Sequence, residues 1–163
     1  MNPPRFAADV MLGRLARWLR LLGLDTFYDN HADDDFLAGL VGREGRTLLT
    51  RDHPLHRSLP PGTSYLVVAD RHPAQLTEVA RAFSLERFDL PPRCSRCNGP
   101  LAETSLARVE YLVPPFVRAT QHRFCQCTAC GKVYWAGSHA PRIADRLLRW
   151  AGKGGPFPPA IPP

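Results

Sequence analysis

The sequence predicts an α/β sandwich around a mostly parallel sheet, followed by a small cysteine-bearing module. Two observations carry this. Over residues 1–90 apolar runs alternate between strand-like and helix-like periods. From "DLPPRCSRC" onward the chain turns rich in turn residues, and all five cysteines fall between Cys94 and Cys130. The expected divisions are 1–90 for the sandwich, 91–140 for the cysteine module, 141–155 for a terminal helix and 156–163 for a tail.

Each element has its own signal. "RFAADV" (5–10) is an apolar run of strand length. In "MLGRLARWLRLLG" (11–23), Leu12, Leu15, Leu19 and Leu22 recur at helical spacing, and Gly23 is placed to end the helix. Arg14, Arg17 and Arg20 fall largely off that leucine stripe. "LDTFYD" (24–29) reads as a second strand. "DDDFLAGLVGREG" (33–45) has acids at its start and Gly at its end, the punctuation of a helix. "RTLLT" (46–50) is a third strand, running into Arg51, Asp52 and a Pro-containing turn. "SYLVVAD" (64–70) is a fourth strand and "PAQLTEVARAF" (73–83) a third helix. "PRIADRLLRWAG" (141–152) suits a short helix with Asp145 and Arg149 four apart, and "GGPFPPAIPP" reads as a disordered tail.

Composition narrows the class. With 44% hydrophobic and 22% charged residues, the chain has the make-up of a globular protein. No apolar run is long enough to span a membrane, and "MNPPRFAADV" lacks the pattern of a secretory leader, so a cytoplasmic location is expected. The net charge of +6 favours a polyanionic partner. Lys132 and Lys153 are the only lysines among 21 basic residues. Arginine's planar fork suits phosphate recognition, although GC-rich coding would give the same bias.

The acids carry the chemistry. Asp9 ends the first strand and Asp52 follows the third, so a parallel sheet should deliver both to one edge, where such sheets place their ligands. Asp33, Asp34 and Asp35 open the second helix near that edge. Converging carboxylates repel one another unless a cation sits among them, and an all-oxygen donor set suits Mg²⁺ or Mn²⁺. Such a site can polarise a phosphoryl oxygen and activate water. The plain alternatives are helix capping for Asp33 to Asp35 and a local turn for Asp52. Asp9 is harder to dismiss, because an acid at the end of an apolar strand is costly to bury unpaired. Other phosphate chemistries lack their residues: there is no D-x-D after the first strand, no lysine in the sandwich, no P-loop and no G-x-S-x-G elbow.

Cys94 and Cys97 form one C-x-x-C pair and Cys127 and Cys130 another, with glycines in "CNGP" and "CGKV" to turn the knuckles. That spacing is a strong signal for a structural Zn²⁺, with an iron–sulfur cluster as the alternative. Cys125 is left over, as a free thiol or a competing ligand. His53 and His56 flank Asp52 and read as loop residues or phosphate contacts. Tyr134 and Trp135 could stack on bases or form the module's small core, and His139 lies near the second knuckle.

Taken together, "DVMLGRLARWLRLLGLD" (9–25), "LLTRD" (48–52), "RCSRCNGPL" (93–101) and "CTACGKVYWAGSH" (127–139) resemble the Mut-seven C-terminal RNase domain family, PIN-like nucleases joined to a zinc ribbon. The resemblance implies a PIN-like three-layer sandwich and a metal-dependent ribonuclease. Asp9 matches the family's first-strand acid and Asp52 the acid of its T-R-D motif. Asp34 is the closest match for the helix-start acid, with Asp35 next. Cys94, Cys97, Cys127 and Cys130 match the zinc ligands. Asp70 is the only local candidate for a fourth acid. The reading that follows is RNA hydrolysis at Asp9, Asp34 and Asp52 with Mg²⁺ or Mn²⁺. Arg14, Arg17 and Arg51 would steer phosphates, Zn²⁺ would be structural, RNA would be the partner, and no obligate protein partner is implied. An RNA-binding module with a weak or silent nuclease site is the alternative. A toxin of a toxin–antitoxin pair fits less well with an appended ribbon.

Overall fold

The computed structural model describes residues 2–85 and 90–135. Its first part is built on four strands: β1 (Phe6–Ala8), β2 (Thr26–Phe27), β3 (Thr47–Thr50) and β4 (Ser64–Leu66), all parallel, in the order β2-β1-β3-β4. Helices α1 (Gly13–Leu21), α2 (Asp34–Glu44), α3 (His53–Ser58) and α4 (His72–Ala82) connect and cover them. The strands are shorter than the apolar runs that announce them. The residues after Ala8 wind into a 3-10 turn, Val10–Leu12, that leads directly into α1.

Strand alternation builds the three layers. In register, Ala7 opposes Leu48 while Ala8 opposes Leu49. Ala7 and Leu48 pack with Leu37, Leu40 and Val41 of α2 and Leu55 of α3. Phe6, Ala8 and Leu49 face the other way, onto Leu15, Ala16 and Leu19 of α1 and Leu76, Val79 and Ala80 of α4. Each fully buried leucine contributes roughly 1.5–3 kcal/mol, so both sheet faces are strongly held. The helix ends follow the sequence punctuation. Asp33 caps α2 through the Phe36 amide, and Gly45 closes it in the left-handed conformation.

Two elements depart from expectation. The Pro-containing turn after Asp52 is a short helix, α3, with Pro54 in its first turn, where a missing amide costs nothing. The cysteine module is more than knuckles. Strands β5 (Leu101–Thr104), β6 (Phe124–Cys127) and β7 (Val133–Trp135) form an antiparallel sheet. Between β5 and β6 lie α5 (Leu106–Val109) and α6 (Pro115–Thr120), which, with Val113 from the segment joining them, pack Val109 and Val117 onto Phe124 and Trp135. Trp135 thus serves the module's small core. The expected terminal helix, the Pro-rich tail and His139 lie outside the described residues.

The two parts are stitched together. Gly23 sits at φ +85°, and a Cβ there would lie 2.4 Å from Leu90 Cβ and 2.8 Å from the Pro91 carbonyl oxygen. The chain entering the module therefore lies directly on the end of α1. The Arg93 amide donates to the Arg20 carbonyl (2.8 Å).

Candidate active site and metal centre

Asp9 and Asp52 reach the carboxyl edge of the sheet for the reason the sequence suggests: β1 and β3 are adjacent and parallel. Asp9 is almost fully buried. Its Oδ1 accepts from the Val10 amide and its Oδ2 from the Thr50 hydroxyl, both at 2.6 Å. The same Thr50 hydroxyl accepts from the Asp52 amide at 2.9 Å. One buried hydroxyl therefore ties the two acids together, a role that a β-branched residue ending a strand gives no hint of in sequence. Asp52 also caps α3, accepting from the Leu55 amide at 2.7 Å.

Asp34 opens α2 and is exposed. Slight desolvation and then the negative charges of Asp9, Asp52, Asp33 and Asp35 raise its pKa above the ordinary carboxylate value. Asp34 thus feels both edge acids, while Asp33 is spent on capping. Among the described residues no cation pairs with Asp9, Asp34 or Asp52. Arg51 turns instead to Asp70, and both are engaged in that ion pair. Arg14 and Arg17 are exposed on α1. His56 meets the Ser64 hydroxyl (2.8 Å), and His53 is exposed at the start of α3. The carboxylates are all-oxygen donors of the kind that Mg²⁺ or Mn²⁺ accepts, but they stand further apart than the thiols described next.

Cys94, Cys97, Cys127 and Cys130 bring their sulfurs within 4.8 Å of one another, the only such group of three or more Cys, His, Asp or Glu among the described residues. A tetrahedral ion with bonds near 2.3 Å separates its sulfurs by about 3.8 Å. The Cys94–Cys130 and Cys97–Cys127 pairs stand at 3.6 and 3.4 Å. The four thiols are therefore placed to hold one structural metal such as zinc. Gly99 is required for this packing, since a Cβ there would sit 3.0 Å from the Cys127 sulfur. Cys125 is buried outside the group.

The Tyr134 hydroxyl supports the cluster. It lies 3.0 Å from Cys94 Sγ and accepts from the Ser95 amide at 3.1 Å. Burial alone would push the Cys94 thiol up. Hydrogen bonds from Tyr134 and from the Cys97 and Arg96 backbone outweigh it and hold the thiol at about 6, whereas burial pushes Cys97 up to about 12. Asn98, between the first knuckle and Gly99, reaches into the sandwich. Its Oδ1 accepts from the Thr26 amide of β2 (3.1 Å), and its Nδ2 donates to Asp25 Oδ1 (2.7 Å). Asp25 also binds Arg46 at 2.7 Å.

Fold and sites together define a two-part α/β protein: a parallel sandwich with acids at its carboxyl edge, locked onto a four-cysteine ribbon. The chain belongs to the Mut7-C RNAse domain family, whose family model matches residues 4–147 and so spans both parts. The family description indicates a nuclease-type function. No curated protein and no solved structure matches the chain.

Proposed function

We propose that this protein is a metal-dependent ribonuclease that hydrolyses RNA phosphodiester bonds at the edge formed by Asp9, Asp34 and Asp52. The observation that carries the reading is the Thr50 hydroxyl bound to the Asp9 carboxylate and the Asp52 amide, with Asp34 near enough to feel the charge of both acids. A Mg²⁺ or Mn²⁺ ion bound there would polarise the phosphoryl oxygen and lower the pKa of water. The chain's own contribution is to hold three carboxylates without a competing guanidinium, and to keep Asp9 oriented through two short hydrogen bonds. Arg14 and Arg17 would draw the RNA backbone toward α1, and Arg51 could join them by exchanging Asp70 for phosphate. Zinc in the thiol cluster would be structural, since four thiolates leave no open position. RNA as partner and a cytoplasmic location, where thiols stay reduced, complete the proposal.

The test is cleavage of single-stranded RNA by purified protein in Mn²⁺, with Asp9→Asn and Asp52→Asn beside the wild type. The reading expects both variants to lose nearly all turnover. Equal cleavage by all three would place the activity elsewhere. A second reading, RNA binding with a weak or silent nuclease site, draws on two observations. The acids are less tightly gathered than the thiols, and Asp70, the candidate fourth acid, is held by Arg51. It expects RNA retention in a gel shift and no turnover in any divalent ion.

A further inference from the structure

A cleft of about 390 Å³ opens where α1 and the loop after β2 meet the cysteine knuckles. Arg17, Arg20, Arg96 and Lys132 line it against a single acid, Asp29. That acid is turned to its own loop, where it accepts from the His31 amide at 2.9 Å. Arg17, Arg96 and Lys132 form no ion pair among the described residues. The thiols of the neighbouring knuckles reach Arg20 with their charge, but among the described residues no carboxylate pairs with the other three cations, and cations converging in a concavity favour an anion.

Two of the four cations are also held in place. Arg20 is 3% exposed and donates through Nε to the Thr26 carbonyl (2.9 Å) and through Nη1 to the Ser95 and Arg96 carbonyls (3.2 and 3.1 Å). Its Nη2 makes no hydrogen bond among the described residues. Lys132 lies 5.0 Å over the Tyr134 ring, and the Tyr134 hydroxyl rests on Cys94 and Ser95. Lys132 is therefore placed by a residue that supports the thiol cluster, and Arg96 stands within the first knuckle, between Cys94 and Cys97.

One wall of the cleft touches the segment that follows Asp9. Tyr28 lines the cleft and donates to the carbonyl of Val10, the residue after Asp9, at 3.0 Å. From Val10 to Arg17 the chain advances about 10 Å at 1.5 Å per residue, with exposed Arg14 between. The geometry points to this cleft as the seat of a backbone phosphate of single-stranded RNA, anchoring the strand so that neighbouring phosphates lie over Asp9, Asp34 and Asp52. The inference rests on the nuclease reading for its choice of RNA. It makes the ribbon part of the substrate site as well as a structural module.

Binding is measured by anisotropy of a 5′-labelled oligouridylate on the full chain without added divalent ion, so that turnover does not enter. The double variant Arg96→Ala/Lys132→Ala should bind about tenfold or more weakly, and its log–log salt slope should fall by about 0.7 for each lost phosphate contact. Arg96→Lys should keep most of the affinity. Arg81→Ala, on α4 and outside the cleft, removes one positive charge and should change affinity less than twofold. Metal content and melting temperature are followed for each variant; should Arg96→Ala release metal, Lys132→Ala alone is read. The inference is overturned if Arg81→Ala weakens binding as much per charge as the cleft variants, or if the cleft variants bind like the wild type. Cleft-dependent binding by a wild type that never cleaves RNA would sink the nuclease reading and leave the cleft standing.

Discussion

Asp52 does two jobs that ordinary mutagenesis confounds: it caps α3, and its charge faces Asp34. Asparagine caps a helix about as well as aspartate, whereas alanine costs about 1 kcal/mol. Asp52→Asn should therefore melt close to the wild type while losing cleavage, and Asp52→Ala should lose both, as thermal melts beside an RNA assay would show. Asp34 gives a prediction of opposite sign for stability. Its native pKa is raised, so the folded state holds that proton more tightly than the unfolded chain. The ionised carboxylate thus costs stability at neutral pH, and the cost fades as pH falls through the native pKa toward the unfolded value of 3.8. Without divalent ion, Asp34→Asn should melt higher than the wild type at pH 7 and equally at pH 3.5, and added Mn²⁺ should narrow or reverse the difference at pH 7. That Asp9 and Asp52 come to one sheet edge was legible because each follows a short apolar strand, whereas Asp34 stands out from Asp33 and Asp35 only through the family resemblance. Thr50 was not legible, since a threonine ending a strand has an ordinary packing explanation, and neither was Asn98, whose partners lie more than seventy residues away.

Among elements, the sandwich could be read almost completely, because period-2 and period-3.6 apolar patterns report burial directly. The errors fall where pattern is short. In α3, Pro54 resembled a turn signal, and only the cap geometry of Asp52 shows it opening a helix. Helices α5 and α6, at four and six residues, are too brief to display a period and owe their shape to a local cluster around Phe124. The junction at Gly23 was expected only as a helix end, yet the structure uses it twice, for a left-handed backbone and for contact with Leu90 and Pro91. Gly23→Ala should therefore cost about 2 kcal/mol or more, since φ above zero alone costs roughly 1–2 kcal/mol for an L-residue. Denaturant melts would measure it; a change under 0.5 kcal/mol would mean the linker does not press on α1.

At the scale of the molecule, Asp25 gathers Arg5, Arg46 and Asn98 at the end of the sheet opposite the acids. Burial works against its charge, but hydrogen bonds from Arg46 and Asn98 prevail and lower its pKa, so this hub stabilises the fold above pH 3.8 and weakens as acid protonates it. Among the described residues, the hub's hydrogen bonds to the ribbon come from one side chain, Asn98 beside Cys97. Zinc chelation should consequently be felt far from the thiols: the Thr26 amide, held by Asn98, should lose hydrogen-exchange protection while the Leu49 amide of central strand β3 keeps it. Uniform protection after metal removal would show that the knuckle does not brace the sheet. Asn98 also has a consequence for solubility. Strand β2 is an outer strand, and an uncovered outer strand offers its amides to any neighbouring chain. A metal-starved cell would then hold copies of this protein prone to stick to one another side by side, and light scattering that rises on chelation and subsides when zinc is restored would be the sign of it.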